Sequence, residues 1–189
     1  MHRIPTIIKL GLIVVAALVL LAPTATSSQQ SYGSGDSLYL SIKGATQGTI
    51  TGGVNQNPVK GWIAVDSWVH EIVSPRDAAS GLPTGKRQHK PIVITKSIDK
   101  ATPKLYQALA NNENLTTVEL RFYGPSATGA SANYFTVKLQ NANIASIRNF
   151  KDETLDREVE MVSLTYQKIT WIWVDGGITA EDDWESPVT

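Results

Sequence analysis

The chain carries three histidines, 17 carboxylates and no cysteine. Without cysteine there is no disulfide, no thiolate metal site and no cysteine nucleophile. His2 lies in an apolar N-terminal segment, which leaves His70 and His89 for chemistry in the body of the chain. His70 precedes Glu71 on a predicted strand, where adjacent side chains point to opposite faces, so the two form no local acid–base pair. It reads as a partly exposed strand histidine. His89 sits in GKRQHKP beside Lys86, Arg87 and Lys90, and Arg76 lies earlier in the same loop. Such a cationic cluster serves an anion site, a contact with an acidic surface or a solvated loop; the last two outweigh a ligand pocket. The acids Glu181, Asp182 and Asp183 near the C-terminus are the available counter-charges. Together with Asp175-Gly176-Gly177 they suggest calcium oxygens, but the alternating ligand pattern is absent. The tail therefore reads as a solvated acidic arm with Trp184 as its one large docking residue.

No glycine-rich phosphate loop opens a helix, no GxSxG elbow occurs, and no paired-histidine metal spacing is present. Catalytic, cofactor-binding and metal-ligating residues are accordingly predicted as none. Trp62, Trp68, Trp171 and Trp173 cluster in predicted strands, where they form either a carbohydrate platform or, as aromatics in sheets more commonly do, core.

These residues need a scaffold, and composition bounds it. With 189 residues, 42% hydrophobic and 18% charged, the chain can bury one ordinary core. Lys plus Arg and Asp plus Glu are 17 each, so no global field recruits nucleic acid or an anionic membrane. Residues 1–27 have the parts of a secretory signal: His2, Arg3 and Lys9, the apolar run Leu10 to Ala22, then small polar residues. A helix over that run covers roughly 20 Å, short of the roughly 30 Å hydrocarbon core, which favours a cleaved signal over an N-terminal membrane anchor. Cleavage leaves 15 basic against 17 acidic residues, a formal charge of −2. Export to the periplasm or the cell exterior follows from that signal.

Residues 28–36 form a Gly, Ser and Gln-rich leader, 37–175 the folded domain, and 176–189 the acidic arm. Leu38, Leu40 and Ile42 alternate with polar residues, the period of a half-buried strand. Thr46 to Pro58 reads as a loop, Gly61 to Val73 as one central strand with both faces apolar, and Ser74 to His89 as a long loop. Ile92 to Ile98 is a strand. A helix starts at Thr102-Pro103, where Thr can cap and Pro fits the first turn; Leu105, Ala108 and Leu109 make its stripe, and Asn111-Asn112 ends it. Leu115 to Tyr123, Tyr134 to Leu139, Ile144 to Ile147 and Val159 to Val174 continue as strands, with a bend or bulge near Asn141 and a bulge near Gln167-Lys168. Strands without βαβ alternation predict a mainly β fold: an antiparallel β-barrel or two packed sheets with one flanking α-helix.

The segments LYLSIKG, WIAVDSWVHEI, HKPIVITKSIDKATPKL, VELRFYG, NYFTVKLQNANIASI and VEMVSLTYQKITWIW, in that order, resemble the haemolysin-coregulated protein family, the Hcp tube proteins of type VI secretion. The resemblance runs over nearly all of Leu38 to Val174, and the ITK and DKATPKL order is its most specific part. It implies a β-barrel with a helix on its side, six copies closing into a ring, and rings stacking into a tube. Partners implied are the chain itself, a type VI spike protein and effectors, with no cofactor and no enzymatic activity. In the family the long loop looks like a ring-stacking element, and here it carries Arg76, Lys86, Arg87, His89 and Lys90, which could meet Glu181, Asp182 and Asp183 of a neighbour. One departure is the N-terminal signal, because family tube proteins are loaded from the cytoplasm and look devoid of one. The same barrel exported as a binding module for effectors, glycans or a surface partner is the alternative, and a cytoplasmic chain secreted by the type VI system is the alternative localisation.

Overall fold

The computed structural model describes residues 36–126, 129–154 and 156–185. The predicted signal and all of the leader but its last residue lie outside them. The chain forms β1 (Ser37–Gly44), β2 (Gly48–Ile50), β3 (Ile63–Val65), β4 (Ser67–Val69), β5 (Ile72–Val73), β6 (Gln88–His89) and β7 (Ile92–Ser97). Then come α1 (Thr102–Ala110), β8 (Leu115–Pro125), β9 (Ser131–Asp152), β10 (Arg157–Trp173), a short 3-10 turn at Asp175–Gly177, and β11 (Ile178–Asp183). Among the described residues the fold is mainly β and antiparallel with one α-helix.

The long hairpin β9–β10 is the spine. On one side β8 and β1 follow β9; on the other, β10 offers one edge to two strands in succession, β7 along Val159 to Leu164 and β11 along Lys168 to Trp173. The outer edge of β1 is shared in the same way by β2 and β3. The sheet does not close as a continuous hydrogen-bonded barrel. Its two ends are bridged by a single piece of chain: β3 pairs with β1, and after Asp66 alone β4 pairs with β7. This break also corrects the reading of Gly61 to Val73 as one central strand. The segment turns from one edge to another at Asp66, so Ile63 and Val65 are core while Val69 is 64% exposed.

Side-chain alternation explains most of the core. Leu40 and Ile42, Ile92 and Ile94, Val118 and Leu120, Val137 and Leu139, and Val162 and Leu164 are buried, each pair on one face of its strand. Leu105 and Ala108 of α1 are buried against them, with Leu109 alongside. The inward parity changes together on three neighbours: from Leu115 to Val118, from Leu139 to Ala142, and from Tyr166 to Ile169. The bend predicted at Asn141 is there, with φ of 49°. The change at Gln167-Lys168 occurs without a shift of pairing against β9; the irregularity in that ladder falls between Ser163 and Leu164. Three strands turning a corner together need no bulge between them.

Other boundaries move. Gly48–Ile50 pairs with β1 inside the predicted loop, and β9 runs unbroken across the gap between the predicted strands Tyr134 to Leu139 and Ile144 to Ile147. Thr102 is the first helical residue and does not cap; its hydroxyl accepts from the Asp99 amide, while Asp99 Oδ1 accepts from the Ala101 amide. Pro103 lies in the first turn, and Asn111 ends the helix with Asn112 at φ 48°.

Candidate functional site

The basic loop and the acidic arm meet within one chain. β11 lies antiparallel on β10, so Ile178–Asp183 of the arm is a sheet strand. Its register places Asp182 opposite Ile169 and turns its carboxylate toward the end of the long loop, where β6 is held against β5 through Ile72 and His89. The Arg87 guanidinium pairs with Asp182 through Nε, and its Nη2 donates to the Asp183 carbonyl at 2.7 Å.

His89 is buried behind this pair. Its Nε2 is 2.6 Å from Asp182 Oδ2, its Nδ1 2.8 Å from the Tyr166 hydroxyl, and the Trp184 ring lies over it at 5.7 Å. His70 Nε2 reaches the same Tyr166 hydroxyl at 2.9 Å, and the His70 ring is stacked with the rings of Trp68 and Trp171, each at 6.1 Å. The run Arg87, Asp182, His89, Tyr166, His70 is thus one continuous polar line between the loop, the arm and β10.

Charges follow from position. Desolvation pushes Asp182 up, but hydrogen bonds from Arg87 and His89 and their charges outweigh it and hold the carboxyl below the usual aspartate range. A carboxylate only accepts, so His89 carries its proton on Nε2 and donates it there. Burial, with the nearby Asp182 charge, pushes the Tyr166 phenol well up, and burial with repulsion from His89 lowers His70. A phenol so raised keeps its proton and is a poor nucleophile. The line fastens the arm and the loop to the sheet.

The remaining predicted contact residues are placed differently. Arg76, Lys86 and Lys90 are exposed and form no ion pair among the described residues. Glu181 takes Lys168 at 2.9 Å on the strand surface, and Asp183 accepts from the Glu185 amide. The pairing of loop and arm is therefore intramolecular at Arg87, His89 and Asp182, and three cations stay available to a partner. Large apolar side chains at the same periphery face solvent, among them Leu82 at the loop tip and Trp173 and Ile178 at the β10–β11 turn.

The model of the family described as type VI secretion system effector, Hcp, matches residues 39–173. The chain belongs to the Hcp family. A major exported protein of Pseudomonas aeruginosa strain PAO1 is 41% identical over 165 residues, covering 79% of this chain and 96% of that protein. A crystal structure of an Hcp protein superposes with TM-score 0.75 at 30% identity, over 80% of this chain and 99% of the other. The secreted protein Hcp3 from Pseudomonas aeruginosa gives 0.68 at 35% identity, over 80% and 99%.

One polar group of this Hcp chain escaped the sequence reading. Lys96 and Glu160 are fully buried, directly opposite each other on β7 and β10, with Nζ 2.5 Å from Oε1. Lys96 also reaches Asp99 at 2.9 Å and the Ser97 carbonyl at 2.8 Å, and Thr102 donates to Glu160 at 2.8 Å. The group ties the start of α1 to the sheet. The signal was present: Lys96 has the parity of Ile92 and Ile94, and Glu160 that of Val162 and Leu164.

Proposed function

We propose that this chain is a structural subunit whose copies, six to a ring, close head to tail and stack into a tube, without catalysis. The match over residues 39–173 carries the reading. The periphery supports it in physical terms, because a ring needs two different surfaces on each copy. The long loop offers exposed Arg76, Lys86, Lys90 and Leu82, and β4 and β11 offer free backbone edges beside exposed Val69 and Ile178. A type VI spike protein and effectors are the further partners of such a tube.

The test is negative-stain imaging of the purified protein over a range of concentration, with native mass measurement of the particles. Rings of six, alone or stacked, are expected; a chain that stays monomeric at high concentration retains the fold and loses this function. The apolar run Leu10 to Ala22 favours a second reading, an exported copy that binds a partner outside the inner membrane and builds no injection tube. The relative described as a major exported protein supports export by either route. Mass mapping of the N-terminus in cell fractions separates them: an intact Met1 in the exported material assigns the type VI route, and processing within Ala25 to Ser28 assigns the signal.

A further inference from the structure

Between the start of β1 and the β3–β4 crossing, beside the β4 edge, lies a cavity of about 290 Å³. Three aromatic rings line it. Trp68 and Phe122 meet at 5.0 Å with a 62° inclination, and Phe122 and Tyr134 at 6.4 Å with 54°. Leu38 and Val65 add aliphatic surface, and the charged members are two carboxylates, Asp36 and Asp66.

The acids stand differently. Asp66 Oδ1 accepts from Arg157 Nη2 at 2.7 Å, so its charge is shared. Asp36 makes no ion pair among the described residues. It is held close to the aromatic wall: a Cβ at Gly124 would lie 2.8 Å from Asp36 Oδ1 and 3.2 Å from Tyr134 Cε1, so glycine is what lets carboxylate and ring share that spot.

We propose that this cavity binds a small organic cation of the quaternary ammonium type. Aromatic faces attract a cation through the ring quadrupole, most strongly where water is excluded, and a carboxylate alongside adds Coulomb attraction. A quaternary ammonium has an apolar skin and no N–H donors, which suits walls of Trp, Phe, Tyr, Leu and Val. A primary ammonium asks for three hydrogen-bond acceptors and holds its water more strongly.

Calorimetric titration of the full-length chain with choline and with 3,3-dimethylbutan-1-ol, its neutral isostere, separates charge from shape. Saturable choline binding is expected, with the alcohol weaker by about tenfold. Asp36→Asn, at an exposed residue away from the core, weakens choline several-fold and leaves the alcohol unchanged; Trp68→Phe weakens choline as well. Phosphocholine binds more weakly than choline because its phosphate faces both acids, which also separates a free cation from a lipid headgroup. Absence of saturable choline binding, equal affinity for the alcohol, indifference to Asp36→Asn, or tighter binding of phosphocholine each overturns the assignment. Ring formation is read separately by imaging, so neither result decides the other.

Discussion

Lys96 shows what a charge costs inside a sheet. Its ammonium and the Glu160 carboxylate are both out of water, each compensated by the other and by Thr102 and Asp99. Breaking such a pair leaves an uncompensated charge, so Lys96→Met alone is expected to cost about 3–5 kcal/mol in urea denaturation. Lys96→Met with Glu160→Leu is expected to recover most of that loss. At the second buried polar line the variable is pH. The folded-state pKa of His70 lies below its ordinary value of 6.5, owing to burial first and His89 second. The unfolded chain therefore takes up that proton at a higher pH than the folded one, and stability falls as the pH drops below about 6.5. Thermal unfolding between pH 7.5 and 5 should show a smaller loss for His70→Gln than for the parent chain; equal slopes would contradict this. Asp182 acts in a lower window: its depressed pKa gives stability that is present above about pH 4 and lost as the pH falls through the folded value.

Glu113 and β11 show how elements are fastened. Glu113 is buried just beyond α1, where Oε1 accepts from the backbone amides of Thr46 and Gln47 at 2.7 and 2.8 Å, and Oε2 from the Gln47 side chain. Those bonds, the Gln47 amide foremost, hold its carboxyl below the usual glutamate range against the opposing effect of burial. They clamp the turn between β1 and β2, and a Cβ at Gly44 would lie 2.3 Å from the same oxygen. Glu113→Ala strands two amides and is expected to cost about 1–3 kcal/mol, read as a lowered melting temperature with faster hydrogen exchange at Thr46 and Gln47. β11 covers the half of β10 that β7 does not reach. Ending the chain before Ile178 exposes that edge beside Trp171 and Trp173, and light scattering should show concentration-dependent association absent from the full chain.

For the whole molecule, charge is divided between ion pairs within the chain and exposed cations. Arg87, His89 and Asp182 are spent inside the subunit, so a test of assembly has to leave them intact. Lys86→Glu with Lys90→Glu changes two exposed cations. Unchanged circular dichroism with loss of rings in electron micrographs is the expected outcome, and rings in parental yield would remove the basic loop from the contact.

The sequence by itself determined the fold class, helix α1 and its buried stripe, and the family, because period-two and helical alternation are local properties that burial then enforces. Lys96 and Glu160 were legible by parity and were masked by their type, since a charge on a core face is expected only where a partner compensates it. What the tertiary structure alone decided is pairing. Which edge each short strand takes, the crossing at Asp66, the corner turned by three strands together and the meeting of Arg87 with Asp182 all depend on residues far apart in the chain. No local pattern specifies register between segments 95 residues apart. The basic loop and the acidic arm were recognisable as complementary from composition, but only the register of β11 on β10 brings Asp182 to Arg87 and His89 of its own chain and leaves Lys86 and Lys90 free.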